Sequence, residues 1–205
     1  MTRLQSPTPM ANRRPLLDPP LLLNAYASGI FPMAMENGEL GWFSPDPRGI
    51  IPLDDGFHVP HGLRRTLKKA PFEVRVNTAF GDVMRGCADR RETWIDDTIY
   101  KSYVRLHALG HAHSVETWRD GELVGGLYGV ALGAAFFGES MFSRTADASK
   151  VALVALVDRL RDRGYVLLDT QWTTPHLRQF GARDIPRREY MARLRGALAL
   201  PAGFV

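Results

Sequence analysis

The clearest hydrophobic pattern in the chain lies between residues 149 and 163. Apolar side chains recur there at positions i, i+3, i+4 and i+7, namely Leu153, Leu156, Val157 and Leu160. This spacing places them on one face of an amphipathic helix. Gly164 ends the predicted helix, and the apolar run over residues 165–169 that follows is typical of a buried strand.

Three shorter strands precede this helix. The pattern predicts them over residues 113–118, 122–130 and 134–137, with turns at Asp120-Gly121 and at Gly133. Strands joined by such short turns pair as an antiparallel meander. The other predicted elements are a strand over residues 72–76, helices over 59–70, 79–89 and 96–109, and short helices over 174–180 and 187–198.

The N-terminal quarter has a different composition. Its first twenty residues contain five prolines, at positions 7, 9, 15, 19 and 20, which predict an extended arm. A short helix is predicted over residues 21–28. Residues 31–52 are rich in proline, glycine and aromatic side chains, which is typical of strands and turns. We therefore expect a small N-terminal domain with a proline-rich arm over residues 1–50.

The order of the remaining elements indicates the fold class. A helix pair, an antiparallel meander, a long helix and a buried strand follow one another in acyltransferases of the GNAT type. The sequence thus predicts an α+β protein whose GNAT-like (acyl-CoA N-acyltransferase-like) catalytic domain spans residues 51–205. Residues 140–149 lack the glycine-rich turn that holds the pyrophosphate of coenzyme A in such enzymes. Because glycine lets backbone amides approach phosphate closely, this absence argues against coenzyme A as the donor.

Charge and cysteine content change this picture only slightly. The chain of 205 residues has a net charge of +4 and a pI near 9.5, which is compatible with a polyanionic partner. A single cysteine, Cys87, excludes an internal disulfide framework. No apolar run approaches the roughly 20 residues that span a bilayer. We expect a cytoplasmic protein without a membrane partner.

Four basic residues cluster in the segment VPHGLRRTLKKA, over residues 59–70. They are Arg64, Arg65, Lys68 and Lys69, and i,i+4 steps connect them on a helix. Like charges on adjacent turns repel one another. The cluster is either a solvated helix face or a phosphate-contacting patch whose repulsion an anionic partner relieves.

Three polar residues interrupt or end apolar strands. Glu139 follows the run AAFFG, and Asp169 and Gln171 flank Thr170 after YVLL. The two-residue period of a strand puts Asp169 and Gln171 on one face. A carboxylate and an amide there could position a nucleophilic amine and stabilise an oxyanion, or Asp169 could instead cap the next helix.

Histidine and aromatic residues leave two further interpretations open. His107, His111 and His113 lie close in sequence but lack a carboxylate at ligand spacing, so structural hydrogen bonding is favoured over a metal site. The aromatic residues Tyr26, Trp42, Phe43, Trp94 and Trp118 either fill the core or stack an unpaired nucleobase.

Several segments together resemble one family. They are AYASGIFP, WFSPDPRGIIP, TWI at residues 93–95, the block LGHAHSVETWRDGELVGGLYGVALGAAFFGESMFSRTADASK, LLDTQ and FGARDIPRREY. In this order they resemble the leucyl/phenylalanyl-tRNA-protein transferases over about residues 21–198. The resemblance implies transfer of leucine or phenylalanine, and methionine less well, from aminoacyl-tRNA to proteins with N-terminal arginine or lysine. It implies no metal and no coenzyme, and a product that enters N-degron proteolysis.

The resemblance also assigns roles to residues. Asp169 is expected to polarise the acceptor amine, Gln171 to assist transfer, and Glu139 to lie beside the aminoacyl ester. The expected aminoacyl pocket consists of Leu127, Phe136, Gly138 and Leu168. The expected adenosine site consists of Tyr26, Trp94 and Met33, which replaces a tryptophan common in the family. The expected tRNA-binding residues are Arg64, Arg65, Lys68 and Lys69.

Two alternatives stand beside this interpretation. One is a GNAT-like transferase that uses another aminoacyl-tRNA, although the predicted pocket offers no partner for a polar side chain. The other is a non-catalytic tRNA-binding protein, in which Asp169 and Gln171 would be replaceable. Nothing in the sequence requires more than a monomer.

Overall fold

The computed structural model describes residues 15–205. Most of the predicted proline-rich arm, residues 1–14, therefore lies outside the described residues. The first helix begins at Pro19, two residues earlier than predicted. Proline suits the first turn of a helix because the amide that it lacks would have no partner there.

Seven helices and nine strands are found within residues 15–205. The helices are α1 Pro19–Ala27, α2 His61–Lys69, α3 Phe80–Ala88, α4 Asp97–Ala108, α5 Ala148–Asp162, α6 Pro175–Arg178 and α7 Arg187–Leu198. The strands are β1 Phe31–Ala34, β2 Leu40–Phe43, β3 Arg48–Ile51, β4 Glu73–Val76, β5 Ala112–Arg119, β6 Glu122–Leu132, β7 Ala135–Ser143, β8 Leu167–Gln171 and β9 Arg183–Ile185.

Most of the strands form one seven-stranded sheet in the order β4-β5-β6-β7-β8-β3-β9. Strands β7 and β8 are parallel, and every other neighbouring pair is antiparallel. The protein is thus a mixed α/β protein with a mixed sheet. Strands β1 and β2 form a separate hairpin.

Helices cover both faces of the large sheet. On one face, buried side chains of α1, α3, α4 and α7 form a core with the sheet. On the other face, α5 lies along the sheet and buries the apolar stripe predicted from the sequence, including Leu156, Val157 and Leu160. The large sheet is therefore covered on both sides, and its central strands β7 and β8 lie in the interior.

The antiparallel meander is confirmed, and the structure differs from the sequence prediction in three details. Strand β7 extends to Ser143 rather than ending at Phe137, so Glu139 lies inside a strand. Strand β9 was not predicted, because three residues are too few for a periodic pattern. Strand β3 belongs to the large sheet, and the predicted boundary at residue 50 falls inside this strand.

Candidate active site

A cavity opens where two parallel strands separate. Strands β7 and β8 are paired from Ala135 opposite Leu167 to Phe137 opposite Asp169. Beyond this point β7 continues beside β6, whereas β8 continues beside β3. The resulting cavity has a volume of about 310 Å³, within the roughly 300 to 1,000 Å³ typical of small-ligand sites.

Both strands carry an irregularity at this cavity. In β7, Glu139 has no partner on β6, although both of its neighbours are paired. In β8, Thr170 is the extra residue opposite the adjacent β3 residues Gly49 and Ile50. A β-bulge bends its strand and redirects the side chains around it. The bulges therefore determine the directions in which the polar side chains of the site point. The regular two-residue alternation of a strand does not predict these directions.

One wall of the cavity is apolar. It includes two residues of the predicted aminoacyl pocket, Leu127 and Leu168, and the cavity also reaches Gly138. The other apolar side chains of this wall are Ile51, Met141, Leu153, Leu156 and Leu177. Phe136, the fourth residue of the predicted pocket, does not line the cavity. Its side chain is fully buried and stacks on Phe204, with ring centroids 5.2 Å apart.

Glu139 lies at the polar end of the cavity within a hydrogen-bond network. The Tyr26 hydroxyl donates to Glu139 Oε1 at 2.8 Å, and Gln171 Nε2 donates to the same oxygen at 3.1 Å. The hydroxyl groups of Tyr26 and Tyr103 are also hydrogen-bonded to each other. Burial raises the pKa of Glu139 from its ordinary 4.5 to about 8, and the charge of Asp169 acts in the same direction. A carboxyl group with this pKa is suited to proton transfer near neutral pH.

Gln171 adopts a backbone conformation that is unusual for its residue type. Its φ is +58°, in the left-handed region, and the Trp172 amide donates to the Thr170 carbonyl at 2.6 Å across it. The Gln171 amide donates to Asp169 Oδ1 at 2.8 Å. A Cβ atom on Gly49 would lie 2.6 Å from the carbonyl carbon of Trp172, so only glycine lets β3 pass this turn. A residue in such a strained backbone conformation persists only where the surrounding structure holds that conformation in place.

Asp169 provides part of that support. Its Oδ1 and Oδ2 accept from Arg48 Nε at 2.9 Å and Arg48 Nη2 at 2.6 Å, and the Tyr190 hydroxyl donates to Oδ2 at 2.7 Å. Asp169 is 0% exposed and Arg48 is 1% exposed. Asp169 does not line the cavity. The resemblance predicted that Asp169 polarises the acceptor amine, but its oxygens face these protein donors from a position beneath the site.

Two of the three predicted adenosine contacts lie together. Met33 of β1 and Trp94 of the loop before α4 both line the cavity, and the Ala34 amide donates to the Trp94 carbonyl at 3.2 Å. Tyr26 does not line the cavity. It is fully buried against Phe137, with ring centroids 4.9 Å apart, and its hydroxyl supports Glu139 instead of facing a base.

The predicted basic cluster is exposed on α2. All four side chains, Arg64, Arg65, Lys68 and Lys69, belong to exposed residues, and within the described chain none of them forms an ion pair. Leu63 anchors the helix in the core, and Thr66 Oγ1 donates to Asp147 Oδ2 at 2.8 Å at the start of α5. Helix α2 therefore packs against the helix that supplies Leu153 and Leu156 to the cavity.

Comparison with known proteins identifies the family. The family described as "Leucyl/phenylalanyl-tRNA protein transferase" matches residues 50–195, and its N-terminal domain matches residues 16–46. The chain belongs to this family. Proteins named leucyl/phenylalanyl-tRNA--protein transferase are 57% identical over 186 residues in Akkermansia muciniphila and 61% identical over 190 residues in Paramagnetospirillum magneticum. These alignments cover 89% and 90% of this chain, and 96% and 90% of the two relatives.

The leucyl/phenylalanyl-tRNA protein transferase family is the one indicated by the sequence segments, so that prediction is confirmed. Among solved structures, that of L-PGS from Bacillus licheniformis matches with a TM-score of 0.42 and 14% identity, covering 71% of this chain and 47% of that chain. The GNAT-like assignment stays a prediction.

The histidines near the start of β5 have structural contacts in this family member. His107 Nδ1 is 2.7 Å from the Ala112 carbonyl oxygen, and the His107 ring stacks on Phe80. Burial lowers the pKa of His113 to about 4, and its ring stacks on Phe204. Within residues 15–205, no group of three or more histidine, cysteine or acidic side chains is placed to hold a metal ion. No described helix is long and apolar enough to cross a membrane.

Several residues at the cavity were not singled out from the sequence. Arg90, Trp172 and Phe31 line it, and Arg48 and Tyr190 hold Asp169 beneath it. Arg48 and Tyr190 lie in the segments PDPRGIIP and RREY, which carried part of the resemblance. A signal for these two residues was therefore present, although their partnership depends on contacts 121 and 21 positions apart.

Proposed function

We propose that this chain transfers leucine or phenylalanine, and methionine less well, from aminoacyl-tRNA to the N-terminal arginine or lysine of acceptor proteins. The new peptide bond would mark the acceptor for N-degron proteolysis. The observation that carries this proposal is the division of one cavity between an apolar wall and a polar end. Family membership supports the same reaction class, because the relatives are named as transferases of this kind.

The apolar wall accounts for the choice of amino acid. Leu127, Leu168 and the α5 side chains Leu153 and Leu156 offer a leucine or phenylalanine side chain burial without any polar partner. Burial of such a side chain stabilises a complex by about 1.5 to 3 kcal/mol. A polar amino acid would lose its hydration there and gain no hydrogen bond. The wall thus disfavours donors charged with polar amino acids.

The polar end accounts for the chemistry. The acceptor nitrogen attacks the ester carbonyl carbon, and the bond from that carbon to the ribose oxygen breaks. Glu139 takes the proton of the attacking amine and returns it to the leaving ribose oxygen. Its pKa of about 8 keeps both the ionised form, which accepts the proton, and the protonated form, which returns it, populated near neutral pH.

Gln171 acts beside Glu139. Its amide nitrogen carries two N–H groups, of which one donates to Glu139. The second is available to the carbonyl oxygen as negative charge develops on it. We assign Asp169 the role of a positioning residue, which holds the Gln171 backbone through the hydrogen bond to its amide. Proximity of amine and ester supplies the rest of the rate enhancement, since the ester is already activated.

The wider assignments belong to the same proposal. The chain consists of a small N-terminal unit and a GNAT-like catalytic unit, and β3 supports placing the division near residue 47 rather than at residue 50. Met33 and Trp94 bind the terminal adenosine, and Arg64, Arg65, Lys68 and Lys69 contact the tRNA backbone. The enzyme works as a cytoplasmic monomer and needs neither a metal nor a coenzyme.

The test is transfer of radiolabelled leucine from leucyl-tRNA to a protein that begins with arginine. An otherwise identical protein that begins with alanine is the matched acceptor control, and seryl-tRNA is the donor control. We expect label only on the arginine protein and only from leucyl-tRNA. Label from seryl-tRNA would favour a transferase of different donor specificity. Binding of tRNA without any transfer would favour a non-catalytic tRNA-binding protein.

A further inference from the structure

One cationic side chain at the cavity has no assigned role. Arg90 follows α3 on the loop that also carries Trp94, and both side chains line the cavity. Arg90 is exposed, and no carboxylate of the described chain lies within 4.0 Å of it. An arginine at the mouth of a ligand site without an acidic partner is free to bind an anion.

The Arg90 guanidinium is held in place by neutral groups. Its Nε donates to the Cys87 carbonyl at 2.6 Å, and its Nη2 donates to Ser140 Oγ at 2.9 Å and to the Met141 carbonyl at 3.3 Å. These bonds use one edge of the guanidinium and orient it beside β7. They neutralise none of its charge, and arginine carries further N–H groups on Nη1. The charge is therefore fixed in position but not compensated.

We propose that Arg90 binds the phosphodiester group that joins the terminal adenosine of the donor tRNA to the preceding nucleotide. This inference rests on the proposed function, because it takes the donor to be an aminoacyl-tRNA. The adenosine lies against Met33 and Trp94, and the phosphate attached to its ribose is the nearest anion of the donor. Arginine suits such a group because its planar N–H groups match phosphate oxygens.

The same charge separates the two substrates. An acceptor with N-terminal arginine or lysine is repelled from Arg90 and approaches the ester from the opposite side of Glu139. Thr170, Trp172 and Thr174, at the end of β8 and in the segment after it, also line the cavity and carry no charge. Arg90 thus reserves one side of the cavity for the donor.

The experiment compares two minimal donors, 3′-leucyl-adenosine and 3′-leucyl-adenosine 5′-phosphate, with an arginine-initiated peptide as acceptor. Wild-type protein is expected to use the phosphorylated donor with a kcat/KM roughly tenfold higher, because hydrogen bonds between charged groups are stronger than neutral ones. Arg90→Gln is expected to abolish this preference. Arg90→Lys, which keeps the charge without the planar group, is expected to restore part of it.

Arg91→Gln is the matched control, since Arg91 is an exposed neighbour that does not line the cavity. The preference is expected to survive in this variant. Where transfer from a minimal donor is too slow to measure, the two minimal donors can be compared as inhibitors of transfer from leucyl-tRNA. The ratio of their inhibition constants then replaces the ratio of kcat/KM values. Equal use or equal inhibition by the two donors in wild type, or an unchanged ratio in Arg90→Gln, overturns the phosphate site. Failure of leucyl-tRNA itself as a donor would instead refute the proposed function.

Discussion

Replacement of Asp169 by asparagine separates a positioning role from a chemical one. Asparagine keeps the size of aspartate but carries no charge, so Arg48 would be left buried without a counter-charge. The amide nitrogen of asparagine would face two donors, Arg48 Nη2 and the Tyr190 hydroxyl, in place of the Oδ2 acceptor. The hydroxyl can rotate and accept, but the guanidinium cannot.

The expected loss of stability is large because both partners are almost fully buried, at 0% and 1% exposure. Removal of one member of a buried ion pair costs about 3 to 5 kcal/mol. For a chain of this length, this corresponds to a decrease in Tm of roughly 6 to 20 °C. Tyr190→Phe removes a single hydrogen bond to Asp169 and is expected to cost only about 1 kcal/mol.

Thermal unfolding should be measured on both variants. Transfer from leucyl-tRNA should be measured at a temperature where each variant is folded. If Asp169 positions Gln171, the Asn variant loses stability and turnover together, and the Phe variant loses a little of each. An Asn variant that keeps the wild-type Tm but loses transfer would refute the reasoning, since Asp169 would then act on the substrate rather than through its neighbours.

Two further predictions concern Glu139 and the α2 cluster. Glu139 binds its proton more tightly when folded, so the stability that it contributes is complete below pH 4.5 and is lost as the pH rises through about 8. The Tm of the wild-type protein should therefore decrease between pH 5.5 and 8.5, and Glu139→Gln should make this decrease smaller. An equal decrease in the two proteins would exclude a raised pKa of Glu139. Arg65→Ala with Lys69→Ala should leave Tm within a few degrees of wild type but reduce the slope of log tRNA affinity against log salt by about 1 to 2. Lys101→Ala, which removes an exposed ion pair, is the control, and an equal effect there would remove the assignment.

Local patterns were sufficient for the elements that bury a continuous face. The stripe on α5 and the antiparallel meander follow from periods of 3.6 and 2, and both are present in the structure. Elements without a period were harder to predict. Strand β9 has three residues, and β3 pairs with β8 across 117 to 122 positions of sequence, so no local window contains the contact that defines either element.

The candidate site shows the same difference between residues that a local pattern predicts and residues that it does not. Glu139 and Gln171 were found from the sequence because each interrupts or ends an apolar strand, where a polar residue is informative. Leu127 and Leu168 were placed in the site by resemblance, and both line the cavity. Phe136 and Tyr26 were placed in the site by resemblance, yet both are buried behind it. A motif records that a residue belongs with the site but not whether its side chain faces the ligand.

The assignment of Asp169 illustrates the physical reason for that limit. A period of two puts Asp169 and Gln171 on the same face of a strand, but Thr170 forms a bulge and Gln171 has a φ of +58°. The carboxylate consequently meets Arg48 and Tyr190, and only the glutamine reaches Glu139. Both departures from regular geometry depend on β3, which supplies Arg48 and the close approach at Gly49. The orientation of the polar end of this site is therefore set by a strand from the N-terminal quarter of the chain, and substitutions at Arg48 or Gly49, neither of which lines the cavity, should alter transfer without touching a residue that contacts either substrate.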